Sequence, residues 1–473
     1  MQKYRNLLEV FPITLKSNTK RGRFVVATKA LEVGALLLEE LPTAKVLLKQ
    51  HEYCQKCCHE IKSEKSIDQS LIFGIASKQL PITSCDICRQ SWCSELCKIS
   101  DLMHKYGCCY QKSLSGISGA ASVDFNLLKL TVSVLIRKMI ERDGDAINGT
   151  PLACLAGLIS HHNSQSETFK AAFLLASADF ISTFANDPIV NGINAESMVK
   201  LACRINANSH GMTLLNGDTF GVGLCPLIAL INHSCTPNAV FLAGSGGVMR
   251  VIAIKNLKED EEITVSYVDL FTPRWNRQGA LLTTKFFWCD CERCSSEDDS
   301  VLDSIKCFKC DKYCTENELC SCGSQKTSEV LKSINETITF GMEMYQAGMF
   351  DSSIITLEKA FEEADILLHP FHAVFLNLLI SLTNLYCRTN NILSAFSTCT
   401  IAIEKIEGII SVSNLGDNNL ELMGLLDKYA ELGEIIAEGV KVGIYTSEDI
   451  DLDFVKKIVR ASLRSEKIRK VFE

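Results

Sequence analysis

No apolar run in this chain is long enough to cross a bilayer. A membrane-spanning helix needs about 18 or more consecutive apolar residues, and Val222 to Ile231 is about the longest stretch present. The first 20 residues have no long apolar core, because Glu9 interrupts the only candidate, which argues against a secretory signal. An excess of positive charge is missing as well. Against 56 Asp and Glu stand 48 Lys and Arg, a formal charge of -8, so a broad basic face for a nucleic-acid backbone is not expected. Nor is the cysteine count even: with 23 of them, internal disulfides cannot pair every one. Apolar content is ample, at 47% hydrophobic and 22% charged, which excludes wholesale disorder. At 473 residues the chain has room for two or three units on a prior of roughly 150 residues per domain. These features lead us to expect a soluble monomer of the cytoplasm or nucleus, with no membrane partner and no specific nucleic-acid partner.

The cysteines are unevenly spread. Nine fall between Cys54 and Cys109, nine between Cys235 and Cys322, and five elsewhere. The short spacings recur as Cys54/Cys57, Cys85/Cys88, Cys289/Cys291/Cys294 and Cys307/Cys310. Thiolates two residues apart on a knuckle converge on one ion, so the clustering favours zinc in a reducing compartment over a covalent framework.

Between these clusters the apolar period changes. Residues 21 to 50 read as a turn and short strands, punctuated by Gly22 and Gly34. From about 120 to 205 the spacing is mostly helical, with Leu127, Leu130, Val134 and Ile136 on one side and then Phe173, Leu174 and Ala178. Strand-like segments return from Gly221 to Tyr267. Beyond Cys322 the helical period dominates: Ile354, Leu357, Phe361, Ala364 and Leu368; Phe396, Cys399, Ile403 and Ile406; Leu422, Leu425, Tyr429, Leu432 and Ile436. Breaks at His369-Pro370 and at Arg388 to Asn391 suggest stacked helical hairpins without a consensus repeat.

The first cysteine-rich stretch offers four ligand pairs, Cys54/Cys57, Cys85/Cys88, Cys93/Cys97 and His104/Cys108, enough for two tetrahedral sites. The last two pairs have a spacing that puts both side chains on one helical face. Cys58 and Cys109 adjoin ligands and read as spares, either of which could substitute if the register is off by one. The pattern resembles a MYND zinc finger. In that family the pairs interleave, which assigns Cys54, Cys57, Cys93 and Cys97 to one zinc and Cys85, Cys88, His104 and Cys108 to the other. The Cys57 to Cys85 separation is longer than usual, consistent with an inserted polar loop, Glu60 to Ser70 in its first part.

A second constellation begins with Asn232-His233-Ser234-Cys235-Thr236-Pro237-Asn238 after the apolar run Leu227 to Ile231. By itself this could be a capped turn fixed by Pro237. Downstream come Glu261-Glu262-Ile263-Thr264-Val265-Ser266-Tyr267 and then Cys289-x-Cys291-x2-Cys294, a thiolate triplet lacking a fourth ligand nearby; Cys235 is the attractive one. The combination resembles a SET domain with its post-SET zinc knuckle, and the inserted finger makes the arrangement similar to the SMYD lysine methyltransferases. Cys307, Cys310, Cys320 and Cys322, with Cys314 between, could form a further structural knuckle. The expected metal content is therefore three zincs, or four if that knuckle closes.

The resemblance implies an α+β fold: a SET-type β fold interrupted by a MYND zinc finger and a helical insert, followed by a post-SET zinc knuckle and a TPR-like α-helical domain. It divides the chain into an N-terminal part of the SET domain (10-50), the finger (51-109), the insert (110-205), the C-terminal part of the SET domain (206-275), the post-SET region (276-322) and the TPR-like domain (325-473). It also implies S-adenosylmethionine as cofactor, held by Gly22, Arg23, Phe24, Asn208, Asn232 and His233, with Phe287 packing the adenine and Tyr267 both lining the donor pocket and serving as the catalytic tyrosine. The sequence departs from the pattern twice: Phe24 replaces the second glycine of the family's G-x-G loop, and Lys285 replaces a pocket aromatic. A cation at 285 would repel an incoming lysine if it pointed inward, whereas its stem could snorkel outward. The expected activity is transfer of a methyl group to a lysine of a histone or non-histone protein, with peptide partners at the finger and the TPR-like helices. The competing expectation is a non-catalytic scaffold built from the same zinc and helical modules.

Overall fold

Ile13 and Leu15 alternate with Thr14 and Lys16, and the strand Ile13–Asn18 buries the first two of these while the others stay partly accessible. It pairs antiparallel with Gly22–Ala27, whose first residue takes φ +67°, a conformation that glycine adopts without steric cost. The computed structural model describes residues 2–61, 82–315, 320–323, 328–446 and 452–473. Most of the insertion between Cys57 and Cys85 therefore lies outside the described residues. The chain forms two compact units, one of residues 1–232, 239–264 and 284–286, the other of 233–238, 265–283 and 287–473.

In the first unit, small antiparallel sheets follow the hairpin. Leu36–Glu40 pairs with Met249–Ala253, which pairs with Ala239–Ala243. Thr219–Leu224 lies between Ala44–Leu47 and Ser209–Thr213. Strands distant in sequence are thus neighbours: the two strands within residues 36–47 pair with strands within residues 219–253. The intervening chain is helical: Leu102–Ala121, Phe125–Arg142, Glu167–Thr183 and Ala195–Asn208, each with a side-chain N-cap from Asp101, Asp124, Ser166 and Asn194. Leu114, Leu128, Phe173, Phe180 and Ala202 meet in their shared core. The sequence expectation was off in one place. Leu174 is exposed, as is Ala178, and the buried face of that helix is Phe173, Ala176, Ser177 and Phe180. The i, i+3, i+4, i+7 rule selects this set, and small residues at 176 and 177 let the neighbouring helix approach.

The second unit holds the helix Arg274–Lys285 for most of its length, the hairpin Ser304–Lys306 with Tyr313–Thr315, and six further helices: Ser328–Gln346, Phe350–Leu367, Val374–Arg388, Ile392–Val412, Leu420–Lys441 and Leu452–Phe472. Each of the six packs on the next, which makes a helical bundle. Leu422, Leu425, Tyr429, Leu432 and Ile436 are all buried, as their period requires. On Phe350–Leu367 the buried line runs through Ser353, Leu357, Ala360 and Ala364, while Ile354 and Phe361 flank it. Among the described residues no helix is long and apolar enough to cross a membrane.

Candidate functional site

Among the described residues, sixteen side chains gather into four clusters whose ligand atoms lie within 4.8 Å of one another: Cys54, Cys57, Cys93 and Cys97; Cys85, Cys88, His104 and Cys108; Cys235, Cys289, Cys291 and Cys294; Cys307, Cys310, Cys320 and Cys322. Their Sγ–Sγ distances separate metal from disulfide. Cys57–Cys93 is 3.6 Å, Cys85–Cys108 3.5 Å, Cys235–Cys294 3.5 Å and Cys307–Cys322 3.7 Å. A disulfide needs about 2.05 Å, while the edge of a tetrahedron with Zn–S bonds of about 2.3 Å is about 3.8 Å. The donor sets, three of four thiolates and one of three thiolates and an imidazole, are those of closed structural zinc sites.

Three of the knuckles share one backbone device. In Cys54/Cys57, Cys85/Cys88 and Cys307/Cys310, the residue after the second cysteine donates its N–H back to the carbonyl of the first, at 2.9, 2.8 and 3.0 Å. That residue takes a left-handed conformation each time: Cys58 at φ 54°, Arg89 at 56° and Asp311 at 58°. The N–H of the first cysteine is likewise satisfied, by His59, Gln90 and Lys312 carbonyls. Cys58 is therefore a turn residue, and its thiol meets Lys45 Nζ at 2.9 Å outside the cluster. Cys109 is exposed. The register Cys54 to Cys108 needs no substitute.

Two features beside the clusters fit a bound zinc. His104 Nε2 is buried with no hydrogen-bond partner among the described residues, while its ring packs on Trp92 at 4.5 Å; a metal bond satisfies that nitrogen. Beside Cys235, Arg277 donates Nε–H to Sγ at 3.3 Å and Nη2–H to Asp299 at 2.5 Å, and Arg293 donates to the other Asp299 oxygen at 2.6 Å. Arg277, Arg293 and Asp299 are at most 3% exposed. Two buried cations for one carboxylate leave a positive surplus, and four thiolates around a divalent ion carry a net negative charge that offsets it. Gln278 completes the support by clasping Cys289 at both backbone groups, N–H and carbonyl, at 2.8 and 2.7 Å.

The Asn-His-Ser-Cys segment runs from the first unit into the second. In the first unit, Asn232 donates Nδ2–H to Glu262 at 2.9 Å, and the other Glu262 oxygen pairs with Arg21 at 3.2 Å, next to Gly22. The motif asparagine is so tied to the hairpin turn that precedes Arg23 and Phe24. Asn208, at the end of its helix, donates to the carbonyls of Ile159 and Arg204 at 2.8 and 2.7 Å. In the second unit, the backbone N–H of Tyr267 donates to His233 Nδ1 at 3.0 Å, and His233 Nε2 lies 3.2 Å from Cys235 Sγ. Burial holds the imidazole down at about 4, so it is neutral, with Nε2–H facing the thiolate. Its ring sits 5.3 Å from that of Tyr267 and 6.1 Å from that of Phe287. The structure thus groups Tyr267, His233 and Phe287 over the third cluster, and it groups Asn232 with the hairpin.

Lys285 does not reach out to solvent along its stem. Its Nζ–H donates to the carbonyl of Ala207 at 2.8 Å, one residue before Asn208, and burial lowers its pKa. Sequence reasoning missed Arg21, Glu262, Arg277, Gln278, Arg293 and Asp299. Glu262 stood inside a motif that was noticed, and Arg277 and Arg293 are cations close in sequence to a thiolate triplet, a signal that charge balance alone could have raised.

A family described as SET domain matches residues 22–268, more than half of the chain. Among curated relatives, the chain is similar to histone-lysine N-methyltransferase ASHR1 of Arabidopsis thaliana, 28% identical over 243 residues and 48% of each chain. A SET and MYND domain-containing protein of Dictyostelium discoideum is 25% identical over 337 residues and 63% of each chain. Human N-lysine methyltransferase SMYD2 is 25% identical over 284 residues and 59% of each chain. The aligned part spans about half to just under two thirds of these relatives. With the match from Gly22 past Tyr267, the interleaved knuckles inserted within it and the Cys235 cluster that follows, the chain belongs to the SET-domain family, in its SET-and-MYND branch.

Proposed function

We propose that this chain is a protein-lysine N-methyltransferase that uses S-adenosylmethionine. The observation that carries the reading is the double anchoring of the Asn232-His233 segment, by Glu262 and Arg21 on one side and by Tyr267 and Cys235 on the other. The names of ASHR1 and SMYD2, both lysine methyltransferases, support it. When bound, the donor supplies a methyl carbon on a cationic sulfur: the lysine nitrogen's lone pair forms the new N–C bond as the C–S bond breaks, and sulfur leaves with the pair. The protein's work is orientation and dehydration. Asn208 has spent its amide donors on Ile159 and Arg204, so its Oδ1 is left to accept from an ammonium. His233 has both nitrogens engaged and acts by holding the Tyr267 backbone against the zinc-bound thiolate. Tyr267 guides the amine with its hydroxyl after the ammonium has lost its proton, and Phe287 offers a ring for the adenine. Gly22, Arg23 and Phe24 complete the donor loop. The zincs are structural.

The helices from 325 to 473 serve in this reading as a TPR-like peptide platform, and the domain limits given above define the parts. Cytoplasm and nucleus are the proposed locations. One observation favours the scaffold alternative: the Lys285 ammonium lies next to Asn208, where it opposes the cationic donor. Methylation of proteins in a cell extract, read by mass spectrometry, tests both readings. We expect Tyr267→Phe to lower the rate while keeping donor binding by calorimetry, and Asn232→Ala and Phe287→Ala to weaken that binding. No methyl transfer by the zinc-loaded wild type would leave the scaffold, and an undiminished rate for Tyr267→Phe would remove this tyrosine from the mechanism.

A further inference from the structure

Inside the first unit lies a cavity of about 540 Å³ that the methyl-transfer reading does not use. It is walled by the segment 41–46, the first zinc knuckle and the helices Leu102–Ala121 and Phe125–Arg142. Its volume falls in the range of small-molecule sites, roughly 300–1,000 Å³. Much of the wall is apolar, including Leu41, Val46, Leu102 and Ile136. Among the polar groups the charge is lopsided. Lys45, Lys56, Lys129 and Arg137 all line it, against the single carboxylate of Asp101.

Most of these groups are already engaged. Arg137 donates to the carbonyls of Thr43, Asn148 and Gly149 and pairs with Glu141. Lys56 donates to Ser100, and Lys45 to the Lys56 carbonyl and Cys58. Asp101 accepts from Trp92 Nε1 and the His104 N–H. Lys129 is different. It is 3% exposed, yet among the described residues its ammonium has no hydrogen bond and no ion pair, and it stands 5.9 Å from the centre of the Phe125 ring. Burial lowers its amine to about 8, and Cys88 of the second zinc cluster is the only charged group that opposes this shift. A second unmatched donor, buried Gln55 Nε2, belongs to the same wall. A buried ammonium with no hydrogen bond and no ion pair, opposed in its burial only by the charge of Cys88, is costly, and the cost is relieved when an anion enters.

We propose that this cavity binds a small organic acid, a carboxylate on an apolar body, with the carboxylate paired to Lys129. The apolar wall excludes a bare inorganic anion as the preferred occupant, and the unpaired ammonium of Lys129 excludes a neutral lipid. None of its lining residues is one assigned above to the donor or to the lysine.

The probes are octanoate, octanol and acetate, titrated into the full zinc-loaded chain by calorimetry and by thermal shift. Octanoate should saturate and raise the unfolding temperature, with octanol and acetate at least ten-fold weaker. Lys129→Met, which fills the same space without charge, should lose the preference for octanoate over octanol while keeping zinc content and S-adenosylmethionine binding; Lys129→Arg should keep the preference. Octanoate that fails to saturate, that binds no better than octanol, or that binds Lys129→Met as well as wild type would overturn the proposal. Should Lys129→Met fail to fold, the octanoate-to-octanol comparison in the wild type decides alone.

Discussion

Glu40 ends the strand Leu36–Glu40 at 3% exposure, and its carboxylate sits where two effects oppose each other. Thr150 Oγ1–H donates to it at 2.5 Å, Ile228 N–H at 2.9 Å and Leu227 N–H at 3.1 Å, all of which favour the ionised form. Burial disfavours it more strongly, and the net result lifts the group from 4.5 to about 7. Between those values the folded chain holds a proton that the unfolded chain has released, so stability falls as pH rises through that window. At about 1.4 kcal/mol per unit, the full span is about 3 kcal/mol. Glu40→Gln keeps an oxygen for the Leu227 and Ile228 amides and cannot ionise, so it should lack this slope. The zinc ligands titrate too, but identically in both proteins, and the difference between them isolates Glu40. Hydrogen exchange of peptides covering Leu36–Glu40, corrected for intrinsic rates, suits a chain of two units better than a single melting curve. From pH 5.5 to 7 the wild type should lose about 2 kcal/mol of protection relative to Glu40→Gln, then run parallel above pH 8. Parallel curves throughout would refute the reasoning. A wild type that instead gains protection as pH rises would show that the three donors outweigh burial.

Asp299→Asn removes the carboxylate that, among the described residues, pairs with both Arg277 and Arg293, and leaves two buried guanidiniums facing each other; we expect a loss of roughly 3–5 kcal/mol, read by denaturation of the second unit, and faster loss of zinc to a chelator. Unchanged stability would mean that the thiolate cluster alone neutralises both arginines. Native mass spectrometry should count four zincs per chain, one for each cluster, with Cys291→Ser losing one and Cys58→Ser keeping all; a zinc lost in Cys58→Ser would make it a ligand. Lys285→Met removes a cation that, after burial, is the second influence holding down His161 and His210, so both should titrate at higher pH by NMR. Unmoved histidines would place the ammonium elsewhere.

The metal ligands were legible because their chemistry is local. A C-x2-C turn needs four or five residues to form, and cysteine spacing reports it directly. Cys235 was harder, since its partners lie more than fifty residues away, and only the want of a fourth ligand at Cys289, Cys291 and Cys294 pointed to it. The helices beyond Cys322 were legible for a similar reason: period reveals a buried face without naming what covers it. Leu174 and Ala178 show the limit. In an apolar helix with weak amphipathicity, the neighbour decides which stripe is buried, and Ser177 went inside while Leu174 and Leu175 stayed out.

Charges were the least legible. Glu40, Lys129, Arg137, Arg277, Arg293 and Asp299 are all buried, and sequence gives each the prior of a surface residue. What reverses that prior is a partner supplied by distant chain. Arg137 gains the carbonyls of a strand end and a loop, Asp299 gains two arginines, and Glu40 gains the amides ahead of the Asn232 motif. Lys129 is the exception. It occupies the apolar stretch Leu127 to Ile136, where the surrounding pattern does require burial, and among the described residues folding gives it no hydrogen bond and no ion pair, only the charge of Cys88. A buried charge that tertiary structure satisfies is explained by the fold. One that the fold leaves unsatisfied beside a cavity points outside the chain, to whatever carries the opposite charge.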